Sequence, residues 1–177
     1  MEFVFMYCFL LTVFTTTTRA TALEIAKENE INDHAPVVKR SASGGNIAFS
    51  AYLSSYVEDF SNDKIVFDNT VLNEGNAYNT GTGEFTAPVN GTYLLSFQFE
   101  NWANDVHDLQ QVATLKVSGN VIASAIIKPM GQSTQAGNMA VVRLIQGQKA
   151  YVTVDGGNVY GQSSERFTFF TGALLYQ

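Results

Sequence analysis

Cysteine is almost missing from this 177-residue chain: the one thiol, Cys8, lies near its start. The remainder cannot close a disulfide within one subunit, so its stability must come from core burial and subunit association. Histidine is scarce as well. Past residue 46 only His107 occurs, which leaves no Cys-His pair and no histidine cluster for a metal within one subunit. No nucleophile-elbow sequence is present, and Gly81-Thr82-Gly83 lacks the third glycine and following helix of a nucleotide loop, so it reads as a turn. Enzymatic chemistry is therefore not expected. These residues contain no Gly-X-Y repeat and no long heptad run, so they encode neither a collagen stalk nor a long coiled-coil stem. From Ser41 onward six basic residues stand against eleven acidic ones, a balance that argues against nucleic acid or an anionic membrane as main partner.

Aromatic and apolar residues are abundant: 46% of the chain is apolar and 15% charged, with 13 Phe and 8 Tyr. That composition suits a packed β domain and excludes disorder. The run Phe3 to Leu11 is too short to span a bilayer as a helix, and the small-residue site Ala20-Thr21-Ala22 follows it. Residues 1–22 read as a secretory signal peptide, although no Lys or Arg precedes the run. Residues 23–46 read as a polar linker in which Lys39-Arg40 is either a processing site or two solvated charges.

From Ile47 to Gln177 the pattern is that of short strands separated by turn residues. Expected strands are Ile47 to Leu53, Ile65-Val66-Phe67, Phe85-Thr86-Ala87 ending at Pro88, Thr92 to Glu100, Ala113 to Val117, Val121 to Ile127, Met139 to Ile145, Ala150 to Val154, and Phe167 to Tyr176. Asn90-Gly91 signals a tight turn, Ser118-Gly119-Asn120 a hairpin, and Gln146-Gly147-Gln148-Lys149 another. In Thr92 to Glu100, Tyr93, Leu95, Phe97 and Phe99 alternate with Leu94, Ser96 and Gln98, which makes one face core. Together these features indicate an all-β sandwich, a jelly roll.

The spacing of aromatics and glycines carries a signature. Phe67 is followed after five residues by Asn73, after four more by Tyr78, after six by Phe85 and after five by Gly91, then by Tyr93 and Phe97. Gly172 lies in the closing segment Phe170 to Tyr176. This pattern resembles the globular head of the complement C1q family over about 131 residues, Ile47 to Gln177. Leu95 replaces a usual aromatic, and Gly147-Gln148 replaces a usual Gly-Asp pair. The resemblance implies a ten-stranded jelly roll related to the tumour necrosis factor fold, assembled as a homotrimer. Apolar residues on both sides of one strand, Val141, Val142, Leu144 and Ile145, favour such an assembly independently.

Two loops hold the candidate ligand-binding residues. In the first, Trp102 is placed to stack on a sugar while Asn101, Asn104, Asp105, His107 and Asp108 offer polar contacts; its plainer reading is a ring capping the core among solvated residues. Asp105 and Asp108 are also candidate calcium ligands, too few for a tight site unless three subunits share an ion on their axis. No other cofactor is expected. The second loop, Gly156 to Arg166, sets Tyr160 and Arg166 among small polar residues and reads either as an adaptable recognition surface or as a plain hairpin loop. Asn90-Gly91-Thr92 is a glycosylation sequon. The expected function is that of a secreted, extracellular C1q-like lectin binding glycans or microbial surfaces in innate immunity. The alternatives are a trimeric signalling or adhesion ligand for a receptor protein, and a matrix or mineral-associated structural protein.

Overall fold

Alternating buried and exposed side chains make strands along nearly the whole head, and no helix occurs among the described residues. The computed structural model describes residues 46–58, 60–101, 110–128 and 131–177. The expected signal peptide, the linker up to residue 45, and Trp102, Asn104, Asp105, His107 and Asp108 lie outside them.

The described strands are β1 (Ala48–Tyr52), β2 (Ser61–Lys64), β3 (Asn69–Glu74), β4 (Tyr78–Asn79), β5 (Glu84–Thr86), β6 (Gly91–Glu100), β7 (Gln111–Val117), β8 (Asn120–Ile127), β9 (Gln135–Leu144), β10 (Lys149–Asp155) and β11 (Phe169–Tyr176). One sheet runs β3-β1-β11-β6-β9, and the other β4-β5-β10-β7-β8 with β2 also on β10. Every pairing is antiparallel. Neighbouring strands in each sheet are mostly distant in sequence, as in a jelly roll.

β6 shows why the sheets face each other. Tyr93, Leu95, Phe97 and Phe99 are essentially buried in the space between them, whereas Leu94, Ser96 and Gln98 remain half-exposed on the far side. Burying a side chain of this size stabilises by roughly 1.5–3 kcal/mol. At Ser118 and Gly119 φ is 47° and 88°, which gives the two-residue β7–β8 hairpin the left-handed backbone its twist requires. At the β9–β10 turn the Gln148 carboxamide accepts from the Ile145 N–H at 2.9 Å. An acceptor therefore survives where the family pattern has Asp.

Three sequence expectations change. Ile65-Val66-Phe67 is not a strand: Ile65 and Phe67 are fully buried and the Ile65 N–H reaches the Val152 carbonyl at 2.9 Å, but the ladder with β10 ends at Lys64. The ladder partners are lost because the segment leaves the sheet to carry two large side chains into the core. The tight turn expected at Asn90-Gly91 is a corner that takes the chain from one sheet to the other, since β5 and β6 belong to different sheets. Gly91 is required by closeness, because a Cβ there would lie 2.5 Å from Leu174 Cδ1 and 2.9 Å from the Tyr176 carbonyl oxygen. Likewise the segment after β10 is a crossing from one sheet to the other and not a hairpin loop.

The signature residues converge on Phe49, which the signature omits. Its ring stacks on Tyr78 at 5.0 Å and Phe85 at 4.9 Å and meets Phe170 edge-on at 4.9 Å. Gly172 makes the seat: a Cβ there would approach Phe49 Cε1 to 2.5 Å and Leu95 Cδ2 to 2.7 Å. Asn73 clamps the Tyr78 backbone, donating from Nδ2 to its carbonyl at 2.9 Å and accepting from its N–H at 3.2 Å. The Tyr78 hydroxyl donates to the Phe67 carbonyl at 3.2 Å, and Tyr93 packs edge-on against Phe85 at 5.5 Å while its hydroxyl donates to the Val89 carbonyl.

Gly172→Ala is expected to destabilise by about 1–3 kcal/mol through overpacking, read as a lower denaturation midpoint; an unchanged midpoint would remove the seat. Burial also pushes the Tyr78 phenol well up from its usual value. The folded state thus holds this proton more tightly than the unfolded chain does. Its contribution is intact below the unfolded value, about pH 10, and is lost as pH rises above it. Alkaline denaturation followed with wild type and Tyr78→Phe should show a shallower loss in the variant; identical slopes would contradict the assignment.

Candidate functional site

The β10–β11 crossing meets the end of β6, the point from which the first candidate loop starts. The Glu100 N–H donates to Thr168 Oγ1 at 3.1 Å, the Thr168 hydroxyl donates to the Tyr160 carbonyl at 2.5 Å, and the Tyr160 N–H donates to the Glu100 carbonyl at 2.8 Å. This closed ring of three hydrogen bonds ties the β10–β11 crossing to the last residue of β6. The second candidate segment is therefore fixed to the residue from which the first one starts.

Asn101 extends that frame. Its Oδ1 accepts from the Thr134 N–H at 2.7 Å and its own N–H donates to the Thr134 carbonyl at 3.1 Å, so its side chain holds the approach to β9. Gln135, the first residue of β9, donates to the Phe167 carbonyl at 3.0 Å. The half-buried Tyr160 ring lies 6.0 Å from Phe167, and its hydroxyl donates to Gln162 Oε1 at 2.5 Å. Arg166 is separate from this pair. Its backbone is left-handed at φ 55°, its N–H donates to the Gln162 carbonyl, and its exposed guanidinium sits 4.9 Å over the Tyr52 ring.

The crossing is packed where a plain loop would be solvated. A Cβ on Gly161 would come within 2.6 Å of Leu53 Cγ, and Gln111, almost fully buried, donates to the Asn158 carbonyl at 2.8 Å. Burial first, and then the charge of Glu165, hold the Glu100 carboxyl above its ordinary range. Among the sequence candidates, then, Tyr160 joins the Glu100–Asn101 end of the first loop while Arg166 pairs with Tyr52. Glu100, Phe167, Thr168 and Tyr52 were not singled out. Their signal is weak in sequence, because Glu100 and Phe167 read as strand residues and the pairings span long separations. Among the described residues no group of three or more His, Cys, Asp or Glu is placed to hold a metal.

Two antiparallel sheets with this strand order define a jelly-roll head of the C1q and tumour necrosis factor type. The chain belongs to the C1q domain family, whose profile matches residues 48–175. It is 32% identical over 133 residues to human "Complement C1q tumor necrosis factor-related protein 3", covering 74% of this chain and 52% of that protein. Zebrafish "Caprin-2" is also 32% identical over 133 residues, covering 74% of this chain but 14% of that protein. The chain spans about half the length of the first of these relatives and far less of the second. Among solved structures it is similar to the "Globular Domain of Zebrafish Complement 1qA protein", with TM-score 0.59 and 18% identity over 74% of this chain and 98% of that one. It is also similar to the "Structure of Eiger TNF from S. frugiperda", with TM-score 0.61 and 14% identity over 75% and 94%.

Replacing the neighbouring charge should bring the Glu100 titration down only part of the way, because burial remains the larger cause. In Glu165→Gln, carboxyl-resolved NMR is expected to show a lower Glu100 pKa that stays above the ordinary value. No movement would separate the two carboxylates.

Proposed function

We propose that this is a secreted, homotrimeric C1q-like recognition protein that binds glycans of microbial surfaces in innate immunity. The observation that carries the reading is the Glu100–Thr168–Tyr160 ring, which fixes the second candidate loop to the residue from which the first one starts. It supplies a polar end with aromatic rings, amides and carboxylates, the chemistry that a sugar's hydroxyls and apolar face call for. Residues 102–108 add the remaining candidates, with Asp105 and Asp108 open to calcium.

Assembly is supported by the outer face of the β3-β1-β11-β6-β9 sheet. Register puts Leu72, Ser50, Thr171, Ser96 and Met139 in one row and Glu74, Ala48, Ala173, Leu94 and Val141 in the next. Met139 and Val141 are 63% and 59% exposed, an apolar area that a neighbouring subunit would cover. Three linked copies then give avidity that one shallow site lacks. Secretion is supported by the sequence of residues 1–22; among the described residues no helix is long and apolar enough to cross a membrane. A receptor-ligand reading is favoured by one feature, the exposed Arg166 over Tyr52, residue types that anchor protein interfaces.

A glycan array probed with and without calcium tests the lectin reading. Wild type is expected to bind a defined glycan subset, with binding reduced at least about tenfold, about 1.4 kcal/mol, in Trp102→Ala and Tyr160→Ala. A blank array together with binding to receptor-bearing cells that Arg166→Ala abolishes would replace it with the receptor reading.

A further inference from the structure

We infer that Asn90 is the site of an N-linked oligosaccharide at the end of the sandwich remote from the candidate ligand site. The inference rests on the secretion proposed above, because the modification requires passage through a secretory compartment. Asn90-Gly91-Thr92 is the one Asn-X-Ser/Thr triplet of the sequence, so this chain has a single acceptor. The geometry keeps that acceptor open. Asn90 is exposed on the corner that carries the chain from β5 in one sheet to β6 in the other. Its Oδ1 accepts from the Gln146 N–H at 2.8 Å, while Nδ2 has no hydrogen-bond partner among the described residues.

This division of labour matters chemically. In the transfer, Nδ2 gives up one proton, which passes through the transferase to solvent, and bonds to the anomeric carbon of a lipid-pyrophosphate-linked oligosaccharide. The bond from that carbon to the phosphate oxygen breaks, and the lipid pyrophosphate leaves. The carboxamide oxygen is untouched, so it still accepts from the Gln146 N–H once the chain folds, and the glycan projects from the nitrogen left over.

Thr92 sets the timing. Its side chain is buried and its backbone lies in register with Arg143 on one side and Tyr176 on the other. The triplet can be read only before β6 joins β9 and β11. Gly91 then lets the corner close, because its missing Cβ makes room for Leu174 and Tyr176. The ten residues of β6 separate Asn90 from the Glu100 end by about 30 Å. Ala48 on β1 and Leu94 on β6 share a row, so residue 46 enters and residue 176 leaves at the Asn90 end. A glycan there shields the entry side and leaves the Tyr160 end uncovered.

The test is secretion of the full chain from a eukaryotic host, followed by peptide-N-glycosidase digestion and mass spectrometry. Wild type and Thr92→Ser should lose one oligosaccharide, with conversion of Asn90 to aspartate. Asn90→Asp, which keeps an acceptor for the Gln146 N–H, and Thr92→Ala should be secreted without it. Secreted wild type with an unmodified Asn90 would overturn the inference. A parallel chain carrying the host's own leader in place of residues 1–22 distinguishes the two readings. If only that chain leaves the cell, the native leader has failed, and the state of its Asn90 still decides the inference.

Discussion

The contact between Gly172 and the ring of Phe49 is the constraint on which the sandwich depends. Phe49 lies on β1 and Gly172 opposite it on β11, so any side chain at 172 would take the volume that the ring occupies. With the ring in place, Tyr78 and Phe85 close on it from the facing sheet and Phe170 from its own. Without disulfides in the head, the layers are linked by core packing, and this aromatic cluster spans both of them. Its geometry specifies which strands must face each other, because stacked and edge-on rings at about 5 Å tolerate little sliding.

Much of this was legible in the sequence for a simple reason. Period-two runs report burial directly, and β6, β7 and β10 appear where Tyr93 to Phe99, Ala113 to Val117 and Ala150 to Val154 alternate. The spacing from Phe67 to Phe97 also holds, with Phe67, Tyr78, Phe85, Tyr93 and Phe97 all buried. β3 and β4 were missed because Asn69–Glu74 and Tyr78–Asn79 are mostly polar and exposed, and are strands by virtue of their neighbours. Ile65 to Phe67 misleads in the opposite direction: it is apolar and β-branched, but its burial comes from a crossing and not from a ladder.

The candidate site was less legible. Asn101 is a candidate for ligand contact, and its Oδ1 also accepts from the Thr134 N–H, a partner that no local pattern announces. Tyr160 and Glu100 are sixty residues apart in the chain, and nothing in local composition tells that one backbone will bond the other. Arg166 gains its partner because a left-handed backbone carries it to Tyr52. The remaining candidates, Trp102, Asn104, Asp105, His107 and Asp108, lie outside the described residues. A fold signature reports packing, while recognition belongs to loops that the packing only positions.

This packing leaves two kinds of surface. The outer face of the first sheet exposes Met139 and Val141 beside Leu94, with Leu72 at the opposite edge, which suits a contact with further copies of the chain. The Tyr160 end stays polar and loop-built, which suits a ligand. Avidity depends on the first of these, because it requires assembly. Sedimentation equilibrium of the secreted protein at micromolar concentration measures it directly. The predicted result is a mass of three chains that falls to one chain in Val141→Asp with the far-ultraviolet spectrum unchanged; a wild-type monomer would contradict the account.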